Sequence, residues 1–466
     1  MTSVQNNVRP IYDGRYSVNA SIDEGELNSL LNTVYISDSG NRTVRGSSWY
    51  ASVFLVVNAA LGAGLLNFPD SYRQAGGVMI AVVIQAIFLV FVVFAILILA
   101  YCSDIKSTDT YQDVVLSVCG RNAQRLCAFV VMTYCFGTCI TFLIIIGDQW
   151  EEFLLFIAKD FYCKEHPWYL DRISTICVTS FLFILPICFP KRIDFLKYPS
   201  MFGVVAILYV EILVFYKYFH HHPPPGPIKT KPDHFIDVFL VVPTICFAYQ
   251  CHVSIIPIYS CMENRNLKEF SKTISCAMLL CIVTYTGTAV CGYLTFGENI
   301  TSDILLSYDP DMWVIIAVIL IAFKTYTTYP ILLFCGRAAL VSLWVDIRKM
   351  SLHEIEDSER NRRIIVTIVW FILTLLLAVF IPNIGVVIQI LGAFAAVFIF
   401  IFPGMCMMSA VQNLVDDGIW TRRLKGLAAF ACAFILIGAF IFGLTLTQSV
   451  IADKNGVKAD KSKYTC

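Results

Sequence analysis

Apolar runs of about 20 residues recur along most of this chain, and each is long enough to cross the hydrocarbon core of a bilayer as a helix. The composition agrees, since 58% of the 466 residues are hydrophobic and 15% are charged. Soluble domains are usually about half apolar and about a quarter charged. Because backbone groups in lipid must hydrogen-bond within their own segment, the runs predict an all-α polytopic membrane protein.

The apolar runs predict eleven membrane spans, bounded by polar or Pro/Gly-rich punctuation. Their limits are 49–73, 76–101, 123–147, 173–190, 200–219, 235–260, 271–296, 312–336, 363–382, 385–411 and 424–450. Residues 1–48 form a polar amino-terminal tail before the core of residues 49–450. Residues 451–466 form a short carboxyl-terminal tail.

The distribution of Lys and Arg predicts the orientation of the spans. Basic residues collect in the amino-terminal tail and in alternate loops, for example at Arg121, Arg125 and Arg422, which indicates a cytosolic amino terminus. Eleven spans then place residues 451–466 on the luminal side. The loop before span 8 lies on that side too, and its Asn299-Ile-Thr301 sequence is a glycosylation acceptor.

Several classes of function are disfavoured by the same composition. The formal net charge is zero, which gives no reason to expect a nucleic-acid partner. The sequence contains no nucleophile–base set, metal cluster or phosphate-binding loop, so we expect neither an enzyme nor a resident cofactor. Of the 18 cysteines, only Cys163 and Cys466 fall on the outer side, and the sequence leaves open whether they form a disulfide.

Span 1 is interrupted in its middle by Asn58-Ala-Ala-Leu-Gly-Ala-Gly64-Leu-Leu-Asn-Phe-Pro69. Two glycines and a proline weaken helical pairing there. Irregular backbone at membrane depth is tolerated only where it is buried in protein or lines a cavity. The N–H groups of Gly62, Ala63 and Gly64 would lose their helical partners and could receive a carboxylate at the positive end of the following half-helix.

Span 6 is interrupted in the corresponding position of the second half of the chain. Pro243 and Pro257 bracket a polar cluster of Tyr249, Gln250, His252 and Ser254. Paired broken helices in two inverted halves are the best sequence indication of a transporter's binding site. The cluster members Tyr249, Gln250 and His252 are candidates for hydrogen bonds with the amide of a glutamine or asparagine, although packing roles for Tyr249 and His252 stay open.

The chain also resembles a known family. Asn58-Ala-x-x-Gly-x-Gly, the Phe-x-x-x-Cys-His motif that begins at Phe247, and Thr-Tyr-Pro330 are similar to the sodium-coupled neutral amino acid transporters of the amino acid/auxin permease group. The longer blocks 136–149 and 329–337 most resemble the lysosomal member that exports glutamine and asparagine. The resemblance implies a LeuT-like fold, a 5+5 inverted repeat with broken helices 1 and 6 and an eleventh helix. It also adds Phe247 to the candidate substrate contacts.

A coupling cation is the second ligand that the resemblance implies. The Asn58 amide oxygen is a suitable ligand for sodium, and the family completes the site with span 1 carbonyls and span 8 hydroxyls, which are Thr327 and Thr328 here. A structural role in which these threonines bond to their own helix stays open. Two intramembrane charges, Glu211 and Lys324, depart from the family pattern. We expect them to form an ion pair beside the cation, or the Lys324 ammonium to replace sodium and make coupling proton-linked.

The amino-terminal tail contains a candidate sorting signal. Glu26-Leu-Asn-Ser-Leu30-Leu31 fits the acidic dileucine pattern that clathrin adaptors read. The sequence thus predicts an ion-coupled carrier in the lysosomal membrane, with the plasma membrane as the alternative location. It would export neutral amino acids, glutamine and asparagine foremost, from the lumen to the cytosol with sodium. A proton-coupled or broader-range permease and a transporter-like sensor are the alternatives.

Overall fold

The fold is a bundle of long helices whose exposed flanks are apolar. A computed structural model of the chain describes residues 47–165, 169–190, 197–220, 226–350, 352–381, 383–415 and 420–454. Large apolar side chains such as Val83, Leu182, Ile212 and Leu436 are exposed on the outside of the bundle. Such a surface is stable only in lipid, so the chain is a multi-pass membrane protein.

Seventeen α-helices follow one another in the described residues. They are α1 (Trp49–Ala60), α2 (Gly64–Gln74), α3 (Val78–Lys106), α4 (Tyr111–Cys119), α5 (Arg121–Glu165), α6 (Arg172–Thr179), α7 (Leu185–Cys188), α8 (Lys197–His220), α9 (Val242–Ala248), α10 (His252–Ser260), α11 (Leu267–Phe296), α12 (Met312–Arg348), α13 (Leu352–Asp357), α14 (Glu359–Phe380), α15 (Ile384–Ala396), α16 (Phe402–Asn413) and α17 (Arg422–Lys454). Single π-helical turns, Ser180–Ile184 and Val397–Ile401, join α6 to α7 and α15 to α16.

Each of the eleven predicted spans coincides with a helix or a pair of helices. Within the described residues, nine spans are long and apolar enough to cross a bilayer, and the bent pair α1–α2 brings this to ten. The shorter apolar segment Arg172–Cys188 corresponds to predicted span 4. Helices α5 and α12 extend well beyond their apolar runs, because polar residues continue the helical ladder outside the hydrocarbon layer.

Side-chain caps define several helix ends near the membrane surface. The Ser48 hydroxyl accepts from Ala51 N at the start of α1, and the Asp311 carboxylate accepts from Val314 N at the start of α12. Asn383 caps α15 in the same way, through Gly385 N. Between α2 and α3, Gly77 adopts φ +125°, a conformation that strongly favours glycine.

The packing places α2 at the centre of the bundle, since each of its residues from Gly64 to Tyr72 is buried. Helix α11 packs against both α1 and α2, while α12 packs against α5 and α8, and α9 packs against α15. Ion pairs connect the ends of neighbouring helices. Arg121 and Arg125 of α5 pair with Asp346 of α12, and Lys217 of α8 pairs with Asp311 at the start of α12. Helix α1 keeps one exposed apolar face, which includes Tyr50, Phe54 and Leu55.

Candidate functional site

Span 1 is broken where the sequence predicts it. Helix α1 ends at Ala60, α2 begins at Gly64, and their axes are bent by 60°. Leu61 N donates to Val57 O over 2.7 Å, and the next turn begins with Leu65 N donating to Gly62 O over 3.3 Å. The first N–H groups of a helix have no intrahelical acceptor, so the break presents donors at the start of α2 and free carbonyls at the end of α1.

Span 6 is broken beside this point, also as predicted. Helix α9 ends at Ala248 and α10 begins at His252, with three non-helical residues between them. The two breaks are in direct contact: a Cβ atom placed on Gly64 would lie 2.8 Å from the Cβ of Ala248 and 3.2 Å from its Cα. Glycine at position 64 is what lets the two backbones approach this closely.

A cavity of about 190 Å³ lies between the two breaks. Its wall combines both breaks with the facing sides of α5 and α12: Asn58, Ala59, Ala60, Leu61, Gly62, Ala63, Gly64, Val131, Tyr134, Cys135, Thr138, Phe142, Phe247, Ala248, Gln250, Val253, Ser254, Lys324, Thr328, Leu332, Cys335 and Phe398. Pockets for drug-sized ligands are usually about 300–1,000 Å³. The cavity therefore fits a single small molecule.

Five of the predicted substrate contacts line this cavity. Gly62, Ala63, Gly64, Phe247 and Gln250 all belong to its wall. The Gln250 Nε2 atom is buried and has no hydrogen-bond partner among the described residues. An unpaired buried donor costs about 1–3 kcal/mol, so a ligand that accepts a hydrogen bond from Gln250 Nε2 would recover this cost.

Tyr249 and His252 do not line the cavity, and both have the packing positions that the sequence left open. The Tyr249 hydroxyl accepts from Gln85 Nε2 over 2.8 Å, on the side of α3. The fully buried His252 ring lies next to the backbone of Val92, also on α3. The three non-helical residues between α9 and α10 turn Gln250 toward the cavity and its two polar neighbours away from it.

The predicted cation ligands divide between two surfaces. Asn58 and Thr328 line the cavity, whereas Thr327 faces a different groove beside Trp150 and Tyr326. Both threonine hydroxyls donate to Lys324 O of their own helix, over 2.9 Å from Thr327 and 2.7 Å from Thr328. This is the structural role left open by the sequence, although Thr328 also lines the cavity.

Lys324 reaches the break in span 1. Its Nζ donates to Leu61 O over 2.8 Å, which is one of the carbonyls released at the end of α1. The lysine stem packs against Gly203 of α8, where an added Cβ would lie 3.1 Å from Lys324 Cγ. The Lys324 side chain therefore lies in the same cavity wall as Asn58 and Thr328, two of the predicted cation ligands.

The expected ion pair between Glu211 and Lys324 is not formed between these two described residues. Glu211 faces the Thr284 hydroxyl of α11 instead. Along α8 it lies eight residues, about 12 Å, beyond Gly203, the residue that contacts Lys324. Glu211 and Lys324 lie at similar depths along their helices, but their side chains point toward different neighbours.

A buried polar layer closes the end of the cavity opposite to the start of α1. Asn67 Nδ2 donates to Ser302 O over 3.0 Å, and Thr244 Oγ1 donates to Asn67 Oδ1 over 3.1 Å. Gln149 Nε2 donates to Asp303 Oδ2 over 3.0 Å in the same layer. In the other direction the wall continues through residues of α5 and α12 toward the end at which α1 starts. The side chains of the polar layer are buried, so the layer lies between the cavity and the opposite end of the bundle.

Sequence reasoning missed the polar layer and one buried tyrosine. The Tyr285 hydroxyl donates to Ala60 O over 2.7 Å, directly at the break in span 1. A hydroxyl in the middle of an apolar span must find a partner inside the protein, and that requirement is the signal that could have singled out Tyr285.

The remaining predicted sites lie at the surface or outside the described residues. Asn299 is exposed in a short 3₁₀ turn after α11. The sorting residues Glu26, Leu30 and Leu31 lie outside the described residues, as do Cys466 and the side chain of Cys163.

Comparisons with known proteins agree on one family. Residues 45–451 match the family described as transmembrane amino acid transporter protein. The chain is 42% identical over 450 residues to sodium-coupled neutral amino acid transporter 7 of Homo sapiens, covering 93% of this chain and 96% of that protein. It is 34% identical over 411 residues to solute carrier family 38 member 8 of Homo sapiens, covering 86% and 93%.

A solved structure is similar in fold. The crystal structure of MhsT in complex with L-phenylalanine superposes with a TM-score of 0.51 and 12% sequence identity, covering 86% of this chain and all of that one. Together with the two broken spans, this similarity confirms the expected LeuT-like fold class.

Proposed function

Since the chain belongs to the transmembrane amino acid transporter family, and so is a carrier of amino acids and not an enzyme, we propose that it exports glutamine and asparagine from the lysosome lumen to the cytosol. The observation that carries this proposal is the unpaired Gln250 Nε2 atom in a cavity bounded by both breaks. A substrate amide oxygen accepts from this donor, whereas an aliphatic side chain leaves it unpaired.

The backbone of the two breaks binds the part that all amino acids share. The substrate carboxylate accepts hydrogen bonds from backbone N–H groups at the start of α2, where the helix dipole also attracts negative charge. The substrate ammonium donates to the carbonyls at the end of α1 and at Ala248. Phe247 covers the apolar part of the side chain from the cavity wall.

The direction of transport follows from the orientation that we propose. The end at which α1 starts carries Arg121 and Arg125 and is assigned to the cytosol. The cavity continues toward that end, and the polar layer closes the luminal end, as expected for a conformation that releases substrate to the cytosol. Exposed Asn299 then lies on the luminal side, where a glycan can be attached.

The location depends on the amino-terminal tail. Glu26, Leu30 and Leu31 recruit a clathrin adaptor, which delivers the carrier to lysosomes. Without that recruitment the protein remains in the plasma membrane.

Coupling has two candidate cations. Sodium coupling is supported by Asn58 and Thr328 in the cavity wall and by the 42% identity to sodium-coupled neutral amino acid transporter 7 of Homo sapiens. The second candidate is proton coupling, which the contact of Lys324 Nζ with Leu61 O favours, because an ammonium already holds a carbonyl that a sodium ion would use.

Flux measurements in proteoliposomes test the function and the coupling ion together. Radiolabelled L-glutamine uptake is measured with imposed sodium or proton gradients, and choline replaces sodium. Sodium coupling predicts loss of concentrative uptake in choline, whereas proton coupling predicts uptake that follows the pH gradient. Specific binding of L-glutamine without flux under either gradient would refute transport and support the amino acid sensor.

The substrate assignment is tested with Gln250→Leu. We expect this variant to lose preference for L-glutamine over L-leucine by about tenfold or more, because the unpaired donor is gone. Gln448→Leu is the matched control, since Gln448 lies on α17, away from the cavity. Unchanged preference in Gln250→Leu would contradict the assignment.

A further inference from the structure

One side chain of α11 touches both broken spans. The Tyr285 hydroxyl lies 2.7 Å from Ala60 O at the end of α1 and 3.2 Å from Ala248 O at the end of α9. It also accepts from Gly62 N over 3.4 Å. Tyr285 does not line the cavity, so it reaches these three backbone groups from behind the cavity wall.

The Tyr285 hydroxyl has one proton to donate, but two carbonyl oxygens lie within hydrogen-bond distance of it. A tyrosine O–H donates one hydrogen bond and accepts others. It can therefore satisfy Ala60 O or Ala248 O, but not both at once, while its lone pair orients Gly62 N. One of the two carbonyls is left for a donor that enters the cavity, and the ammonium of an amino acid is such a donor.

The ring of Tyr285 is held firmly in place. It is fully buried, stacks on Phe68 of α2 with centroids 4.6 Å apart, and meets the edge of Tyr249 at 5.2 Å. The position of the hydroxyl is therefore fixed relative to α2 and to the break in span 6. Its hydrogen bond to Ala60 O is what connects the end of α1 to that fixed group.

We propose that Tyr285 is a positioning residue for amino acid binding: it fixes the backbone at Ala60, Gly62 and Ala248, so that the neighbouring N–H groups of the span 1 break bind the substrate carboxylate and one of the two carbonyls binds the ammonium. This inference rests on the proposed function, because it assumes that an amino acid binds at the breaks. It concerns only the groups that all amino acids share. Loss of the hydroxyl should therefore weaken the binding of every amino acid substrate by the same factor and leave the preference among substrate side chains unchanged.

The test is equilibrium binding to the purified full-length chain. Kd values for radiolabelled L-glutamine and L-asparagine are measured for the wild type, Tyr285→Phe and Tyr293→Phe. We expect Tyr285→Phe to raise both Kd values by about tenfold, the loss typical of one buried hydrogen bond, with their ratio unchanged.

Tyr293 is the matched control because it is a fully buried tyrosine of the same helix, and its hydroxyl accepts from Lys229 N over 2.8 Å, away from the cavity. We expect Tyr293→Phe to keep the wild-type Kd values. A Tyr285→Phe protein whose Kd values stay within twofold of the wild type would overturn the inference, and so would a lower binding capacity at an unchanged Kd, which indicates a structural role alone.

Two further arms keep the test decisive. If Tyr285→Phe does not fold, Tyr285→His is compared with Tyr293→His: a raised Kd specific to position 285 supports the inference, and an unchanged Kd overturns it. Failure of the wild type to bind either amino acid would overturn the proposed function and this inference with it. Normal wild-type binding with an unaffected variant at position 285 overturns the inference alone.

Discussion

The contact between the two breaks makes Gly64 the most sensitive position in the site. In Gly64→Ala, the new Cβ would lie 2.8 Å from Ala248 Cβ and 3.2 Å from Ala248 Cα. Unstrained carbon atoms are about 3.5–4.0 Å apart, so the backbone of span 6 must move by several tenths of an ångström or more. Overpacking of this kind costs about 1–3 kcal/mol. We expect kcat/KM for L-glutamine to fall by about 5- to 150-fold.

The contact between positions 64 and 248 also predicts that a second substitution restores the activity lost in Gly64→Ala. In Gly64→Ala/Ala248→Gly the 2.8 Å contact disappears, and only the 3.2 Å contact to the Cα remains. A double-mutant cycle with both single variants should therefore show a favourable coupling energy of about 0.5–3 kcal/mol. Activity is measured as initial L-glutamine flux per folded molecule in proteoliposomes.

Gly443→Ala on α17 is the control, because a Cβ there would meet nothing within 4 Å. Gly443 does not line the cavity, so this variant should retain flux within about twofold. The reasoning is refuted if Gly64→Ala transports like the wild type, or if Ala248→Gly restores none of the lost flux. Equal damage by the two alanine variants would also refute it, since only one of them meets a steric contact.

Three other perturbations have defined outcomes. Asn67→Ala removes a buried group that bonds to Ser302 O and Thr244, so we expect the melting temperature in detergent to fall, with a cost of about 1–3 kcal/mol. Asp346→Asn leaves Arg121 and Arg125 without their carboxylate partner. The free energy of unfolding should fall by up to about 1 kcal/mol at low salt and by less at high salt. A loss of stability that grows with salt would contradict an ion pair. Replacing the dileucine at 30–31 with alanines should raise surface biotinylation without changing flux per molecule; an unchanged lysosomal location would contradict the sorting role.

Local sequence determines the breaks, and these were predictable. The glycines and Pro69 allow span 1 to stop at Ala60 and resume at Gly64, and Pro243 and Pro257 bracket the interruption of span 6. Such residues act on their own backbone, so their effect can be read without knowing which helices are neighbours.

Side-chain direction was harder to predict, because it depends on helical phase and on the neighbouring helices. Three non-helical residues between Ala248 and His252 break the phase, so that Gln250 faces the cavity and Tyr249 faces α3. Glu211 lies two turns away from the part of α8 that meets Lys324. The role of Tyr285 follows from a third helix that no local pattern connects with either break.

The backbone of Ser47 connects the start of α1 to the segment that follows α10. Ser47 N donates to Cys261 O over 2.8 Å, and Glu263 N donates to Ser47 O over 3.0 Å, immediately after α10. Helix α1 starts two residues after Ser47, so the start of α1 and the end of α10 are tied together at this point. Any displacement of α1 at this end must therefore either carry the end of α10 with it or break both hydrogen bonds.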